Sequence, residues 1–198
     1  MGRSGAQLLP HIRSTWPAYV ILSSLLGIGV YRPWFVSQSL TAGDWQYNSQ
    51  PVLASWFPWP TIWNSTVGLG LKQFYSAYEF PIYAVAGGLH SIGVGWVTIE
   101  KGLYFWPFAA LCPVGAWYLG VQIIKDRDWA LVSAVLYATS TYFLTFTVRG
   151  QLYIGMAQAI APFVLGVFVR VMRHCTLRSV LIAGLLLGLE SAYEIRVA

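Results

Sequence analysis

Asp44 stands in the run Gly43-Asp44-Trp45-Gln46-Tyr47, which opens a stretch reaching to about Tyr83. That stretch holds one Asp, one Glu, one Lys, four Pro and many aromatics, too broken for a simple span and too aromatic for an ordinary soluble loop. A carboxylate such as Asp44 or Glu79 can accept a proton from a hydroxyl. Cations such as Lys101 and Arg149 can hold an anionic group, the first as a point charge and the second as a planar fork. Plainer roles compete with each of these. Asp44 after Gly43 suits a turn or a helix cap, and Glu79 suits a solvated charge at a segment start. Lys101 can snorkel from the end of a span, and Arg149 can anchor a helix end.

The elements that must position these residues are set by the solvent. The 198 residues are 57% hydrophobic and only 10% charged, whereas soluble domains carry roughly a quarter charged residues. Several apolar runs approach the ~20 residues a helix needs to cross a ~30 Å hydrocarbon layer. The expected fold is therefore all-α, a polytopic transmembrane bundle forming one domain over residues 1–198. The net charge of +5 sits in short clusters between apolar runs, where it orients helices. It implies a membrane-lipid partner and no nucleic acid. Cys112 and Cys175 lack metal spacing and do not suggest a disulfide, and His11, His90 and His174 are too far apart to form a motif. No metal site, nucleotide loop or nucleophilic triad is spelled out.

In order, residues 1–36 read as a first span with an inner amino terminus marked by Arg3 and Arg13. Pro17 suits its first turn; a signal peptide is the competing reading. Residues 37–101 read as a long outer loop with interfacial or re-entrant helices, broken by Pro51, Pro58 and Pro60. Within it, Pro81–Ile99 is apolar enough to span, but Gly87, Gly88, Gly93 and Gly95 make a poor helix. If it crossed, the basic connectors Lys125–Asp128 and Arg170–Arg178 would both fall outside, against the positive-inside rule. Leaving it in the outer leaflet puts both inside.

Four further spans then fill 102–198: Gly102–Ile124, Trp129–Val148, Leu152–Val169 and Ser179–Ala192. About five spans result, in the cell membrane, with Asp44, Glu79, Glu100, Glu190 and Glu194 outside and only Asp126 and Asp128 inside. The end at Glu190–Arg196 reads as an outer connector awaiting another helix, so the chain is expected to be the amino-terminal part of a longer polytopic protein or a truncated relative of one, with room for a partner subunit.

A first helix followed by a long outer loop with an early Asp, Gly43-Asp44-Trp45, resembles the GT-C-type membrane glycosyltransferases. An aromatic Pro-Ile-Tyr segment (Pro81–Tyr83), a helix ending in a basic-acidic inner connector and an Ala/Leu-rich helix are similar too. The resemblance covers nearly the whole chain in hydropathy and rests on few specific residues. It implies transfer of a sugar from a polyprenyl-phosphate donor to a glycan or protein acceptor on the outer face, with Asp44 as general base. Burial among Trp45 and Tyr47 would raise the basicity of that carboxylate. Glu79 is the second catalytic candidate, Arg149 and Lys101 are candidates for the donor phosphate, and Trp45 and Tyr47 for stacking on a sugar.

The acidic pair common in the first loop of that family is missing, because Asp44 has no acidic neighbour. Mg²⁺ or Mn²⁺ is admitted as a cofactor only if folding brings Asp44 and Glu79 together. The alternative reading is a non-catalytic membrane component or transporter-like subunit that binds lipid-linked intermediates. Transporters place polar groups at mid-membrane, and here Gln122 and Gln158 are the main candidates.

Overall fold

The computed structural model describes residues 16–34, 38–39, 53–54, 57–58, 63–64, 71–72, 76–148 and 151–194. Helix α1 covers Trp16–Tyr31, with Pro17 in its first turn as expected, and passes into a 3-10 turn at Arg32–Trp34. Two short strands, β1 (Trp63–Asn64) and β2 (Leu71–Lys72), pair antiparallel, Trp63 opposite Lys72. Helix α2 covers Ser76–Ser91, α3 Trp96–Glu100, α4 Trp106–Ile124, α5 Arg127–Ala138, α6 Thr141–Val148, α7 Leu152–Arg173 and α8 Leu177–Tyr193. A π-helical turn at Lys101–Phe105 joins α3 to α4 in one rod. Two rods, Trp96–Ile124 and Leu152–Arg173, are long and apolar enough to cross a membrane. At 1.5 Å per residue they measure about 44 and 33 Å.

Three boundaries differ from expectation. The glycine-rich segment does form a helix, α2, and the glycines act at its end and on one face. Gly93 (φ +93°) stops it: Val94 N–H donates to the Leu89 carbonyl and Gly93 N–H to that of His90, a Schellman ending. Gly87 lets Leu53 and Phe57 lie against the helix, since a Cβ there would sit 3.0 Å from Phe57. The span expected from Gly102 starts earlier, at Trp96. The span expected over Trp129–Val148 is two helices. At the break, Thr139 Oγ1 donates back to the Val135 carbonyl at 2.8 Å and Ser140 N–H to that of Tyr137 at 3.2 Å. Side chains that bond their own backbone in this way compete with a continuing helix.

α4 is the axis of the bundle, packed against α1, α5 and α7. Tyr31, Tyr104, Phe105, Phe108, Phe143, Met156 and Ile160 form the main core around it. Its two prolines, Pro107 and Pro113, and Pro162 of α7 organise those contacts. A proline within a helix lacks the N–H that would bond the carbonyl four residues back, and in an apolar medium an unmet carbonyl is costly.

Two of the freed carbonyls accept from a tyrosine hydroxyl of another helix. Pro107 frees Leu103, whose carbonyl accepts from the Tyr193 hydroxyl at 2.9 Å. Pro162, in α7, frees Gln158, whose carbonyl accepts from the Tyr137 hydroxyl at 2.9 Å. Pro113 frees Ala109, and there α1 itself closes in: a Cβ at Gly27 would overlap the Ala109 oxygen. Tyr31 does the same service at the α5–α6 break, donating to the Ala138 carbonyl at 2.8 Å.

The polar ends are tied as firmly. Lys125 takes a left-handed conformation (φ 63°), and Asp126 then caps α5 by accepting from Asp128 N–H at 2.9 Å and Trp129 N–H at 3.1 Å. Tyr19 donates to Asp128, and Trp16 and Tyr19 both pack on Trp117. Arg173 Nη1 donates to the Gln122 carbonyl at 2.9 Å. The start of α1, the α4–α5 turn and the α7–α8 turn therefore share one end of the bundle. Along its sides, Ile21, Leu25, Leu136, Leu165, Leu181 and Leu185 are more than half exposed.

Candidate functional site

The opposite end gathers the beginning of α2, the π-helical turn and the end of α8. The π-helical turn widens the rod where Pro107 cannot continue normal bonding, and Trp106 N–H reaches back five residues to the Lys101 carbonyl. That turn carries Tyr104 into the core, where its ring meets Tyr193 edge-on at 5.7 Å and Trp96 at 6.3 Å. Glu79, in the first turn of α2, lies near enough for its charge to act on the Tyr104 hydroxyl. Together with Ile82, Tyr83, Tyr153, Ala192 and Tyr193, these two residues enclose a cavity of about 10 Å³, room for about one water. A half-buried carboxylate among tyrosine hydroxyls can exchange a proton with a hydroxyl brought to its open side.

Of the residues expected to do chemistry, Glu79 and Lys101 are described. Lys101 does not begin a span, as expected, but sits half-buried inside the Trp96–Ile124 rod as the first residue of the π-helical turn. Its ammonium forms no ion pair among the described residues. Asp44, Trp45, Tyr47 and Arg149 lie outside the described residues.

Three carboxylates carry more structure than their sequence setting suggested. Glu100 is fully buried and accepts from Ser39 Oγ at 3.1 Å. Glu190 and Glu194 are 3% and 1% exposed, one turn apart, with Glu194 N–H on the Glu190 carbonyl at 3.0 Å. Helical spacing carried the signal for this pair. Glu190 and Glu194 continue the face of Ala183 and Leu187, which turns to the core.

Mg²⁺ or Mn²⁺ needs several converging oxygen donors. Among the described residues no three His, Cys, Asp or Glu side chains are placed to hold a metal ion, and the neighbours of Glu79 are tyrosines. Asp44, the carboxylate with which Glu79 would share such an ion, lies outside the described residues.

No protein-family model matches the chain, and no curated protein or solved structure is significantly similar to it. What the described fold and site define is a helical bundle with two helices fit to cross a membrane and a carboxylate–tyrosine cluster at one end.

Proposed function

We propose that the chain is a five-span protein of the cell membrane, with its amino terminus inside, and that it works as a GT-C-type glycosyltransferase or as part of one. It would move a sugar from a polyprenyl-phosphate donor to a glycan or protein acceptor at the outer face. Asp44 would be the general base, with Glu79 beside it in role, Lys101 and Arg149 on the donor phosphate, and Trp45 and Tyr47 against the sugar. Trp96–Ile124 and Leu152–Arg173 favour the membrane setting by length and composition, as do the exposed leucines of α7 and α8. The shared end of both basic connectors, tied by Arg173 to Gln122, agrees with the positive-inside rule.

The observation that carries the functional reading is the grouping of Glu79 with Tyr104 and Tyr193 at the other end, the outer one in this topology. The test is glycosyl transfer from a polyprenyl-phosphate sugar in membranes carrying the full-length protein. Asp44→Asn should lower the rate about 10²–10⁴-fold, the usual range for a positioned base, and Glu79→Gln should lower it too. Wild-type rates in both variants at equal expression would remove this mechanism.

A further inference from the structure

A second cavity, of about 310 Å³, opens where α7 ends and α8 begins. Such a volume is at the lower limit of small-molecule sites, about 300–1,000 Å³. Arg170, Arg178, Thr176, Ser179 and Tyr118 supply its polar lining, and Val167 and Ile182 its apolar wall. Thr176 and Ser179 are already committed to each other in a capping box, so the free polarity comes from the arginines and the Tyr118 hydroxyl.

The three arginines of this region divide by role. Arg173 is spent on the Gln122 carbonyl. Arg170 and Arg178 make no hydrogen bond or ion pair among the described residues, yet both face the same cavity. The nearby carboxylates do not answer them, since Asp126 caps α5 and Asp128 accepts from Tyr19. Arg170 and Arg178, both exposed, line one cavity that no carboxylate among the described residues lines, and guanidinium groups there can grip a phosphate group through paired N–H donors.

The apolar surroundings say what the phosphate is attached to. Ile182, Leu185 and Leu189 are 39%, 74% and 43% exposed. They follow one another at helical spacing, so a continuous apolar stripe runs along α8 from the cavity wall toward the far end. A phosphate at the arginines would thus have its hydrocarbon chain laid along α8.

We infer that the Arg170–Arg178 cavity binds the phosphate headgroup of an anionic membrane lipid, with an acyl chain on the Ile182–Leu185–Leu189 stripe. The inference rests on the membrane topology proposed above, and it is independent of sugar transfer.

The test is native mass spectrometry of the full-length chain in detergent, titrated separately with phosphatidic acid, phosphatidylcholine and inorganic phosphate. Wild type should bind phosphatidic acid at least tenfold tighter than the other two. Arg170→Gln/Arg178→Gln should lose about tenfold, while Lys125→Gln, an exposed cation of the neighbouring connector, should change binding less than twofold. Should the double Gln variant fail to fold, Arg170→Lys/Arg178→Lys keeps the charge and removes the forks, and it too should bind more weakly.

Equal loss in Lys125→Gln would mean diffuse attraction and overturn the site. Undiminished binding in the arginine variants would do so as well, and inorganic phosphate binding as tightly as phosphatidic acid would overturn the lipid assignment. Thiol labelling in sealed vesicles separates this result from the topology: a Cys175 reached from outside would sink the topology and leave the detergent titration as it stands.

Discussion

The Tyr193 hydroxyl donates at 2.9 Å to the Leu103 carbonyl, 90 residues earlier in the chain, and the N–H that would have met this carbonyl is the one Pro107 lacks. The tyrosine at the end of α8 thus completes the bonding of the rod that carries Tyr104 and Lys101.

Removing that hydroxyl with Tyr193→Phe should destabilise the protein by about 1–3 kcal/mol, the range for stranding a buried acceptor. In a Pro107→Ala background, where residue 107 regains its N–H, the same change should cost less. Chemical unfolding in detergent of the four proteins of this cycle gives the coupling. A coupling of zero would mean that proline and tyrosine are unrelated. Tyr137→Phe with Pro162→Ala should behave in parallel.

Gly27→Ala should loosen α1 from α4, because its methyl would overlap the Ala109 carbonyl and press on Pro113 at 2.9 Å. Gly29→Ala, two residues on with nothing within 4 Å, should be neutral or slightly stabilising through helix propensity, by at most about 1 kcal/mol. Melting temperatures of the two variants in the same detergent should fall on opposite sides of a few degrees' loss.

The α4–α5 turn sets two changes against each other. Asp126→Ala removes the acceptor for Asp128 and Trp129 N–H and should cost about 0.5–2 kcal/mol. Lys125→Gly relieves a left-handed lysine and should gain about 1 kcal/mol. Denaturant midpoints that moved the same way for both would contradict this account of the turn.

Topology can be read from the native cysteines. Cys175 is exposed in the α7–α8 turn and Cys112 is buried. An impermeant maleimide should therefore label Cys175 only after sealed vesicles are opened. Ile92→Cys, at a site 76% exposed, should react from outside in a Cys175→Ser background. The reverse pattern would turn the bundle over.

Composition and apolar run length were enough to read the helical class, because they register the solvent. The connectors at Lys125–Asp128 and Arg170–Arg178 were legible from their charges. Partners distant in sequence decided the rest. The α5–α6 break depends on Thr139 turning its hydroxyl, and Ser140 its backbone N–H, back on the preceding turn while Tyr31 takes the Ala138 carbonyl. No local propensity announces that arrangement. Gly87 weakens a helix in isolation, yet it is what admits Leu53 and Phe57. At the candidate site Glu79 was singled out, but its company of tyrosines comes from α2, α4's entry turn, α7 and α8 together. Glu190 and Glu194 read as outer charges, although their helical register already turned them inward.

The reach of these carbonyl pairings bears on the order in which the chain can be made. Gln158 meets Tyr137 only 21 residues away, so that pair can close within one helical hairpin as it leaves the ribosome. Leu103 must wait for a partner 90 residues later. At about 5–20 residues per second the interval is roughly 5–18 s. During synthesis the first long rod therefore carries an open acceptor until α8 arrives. A nascent chain halted before Tyr193 would hold α4 in place while lacking the bond that finishes it.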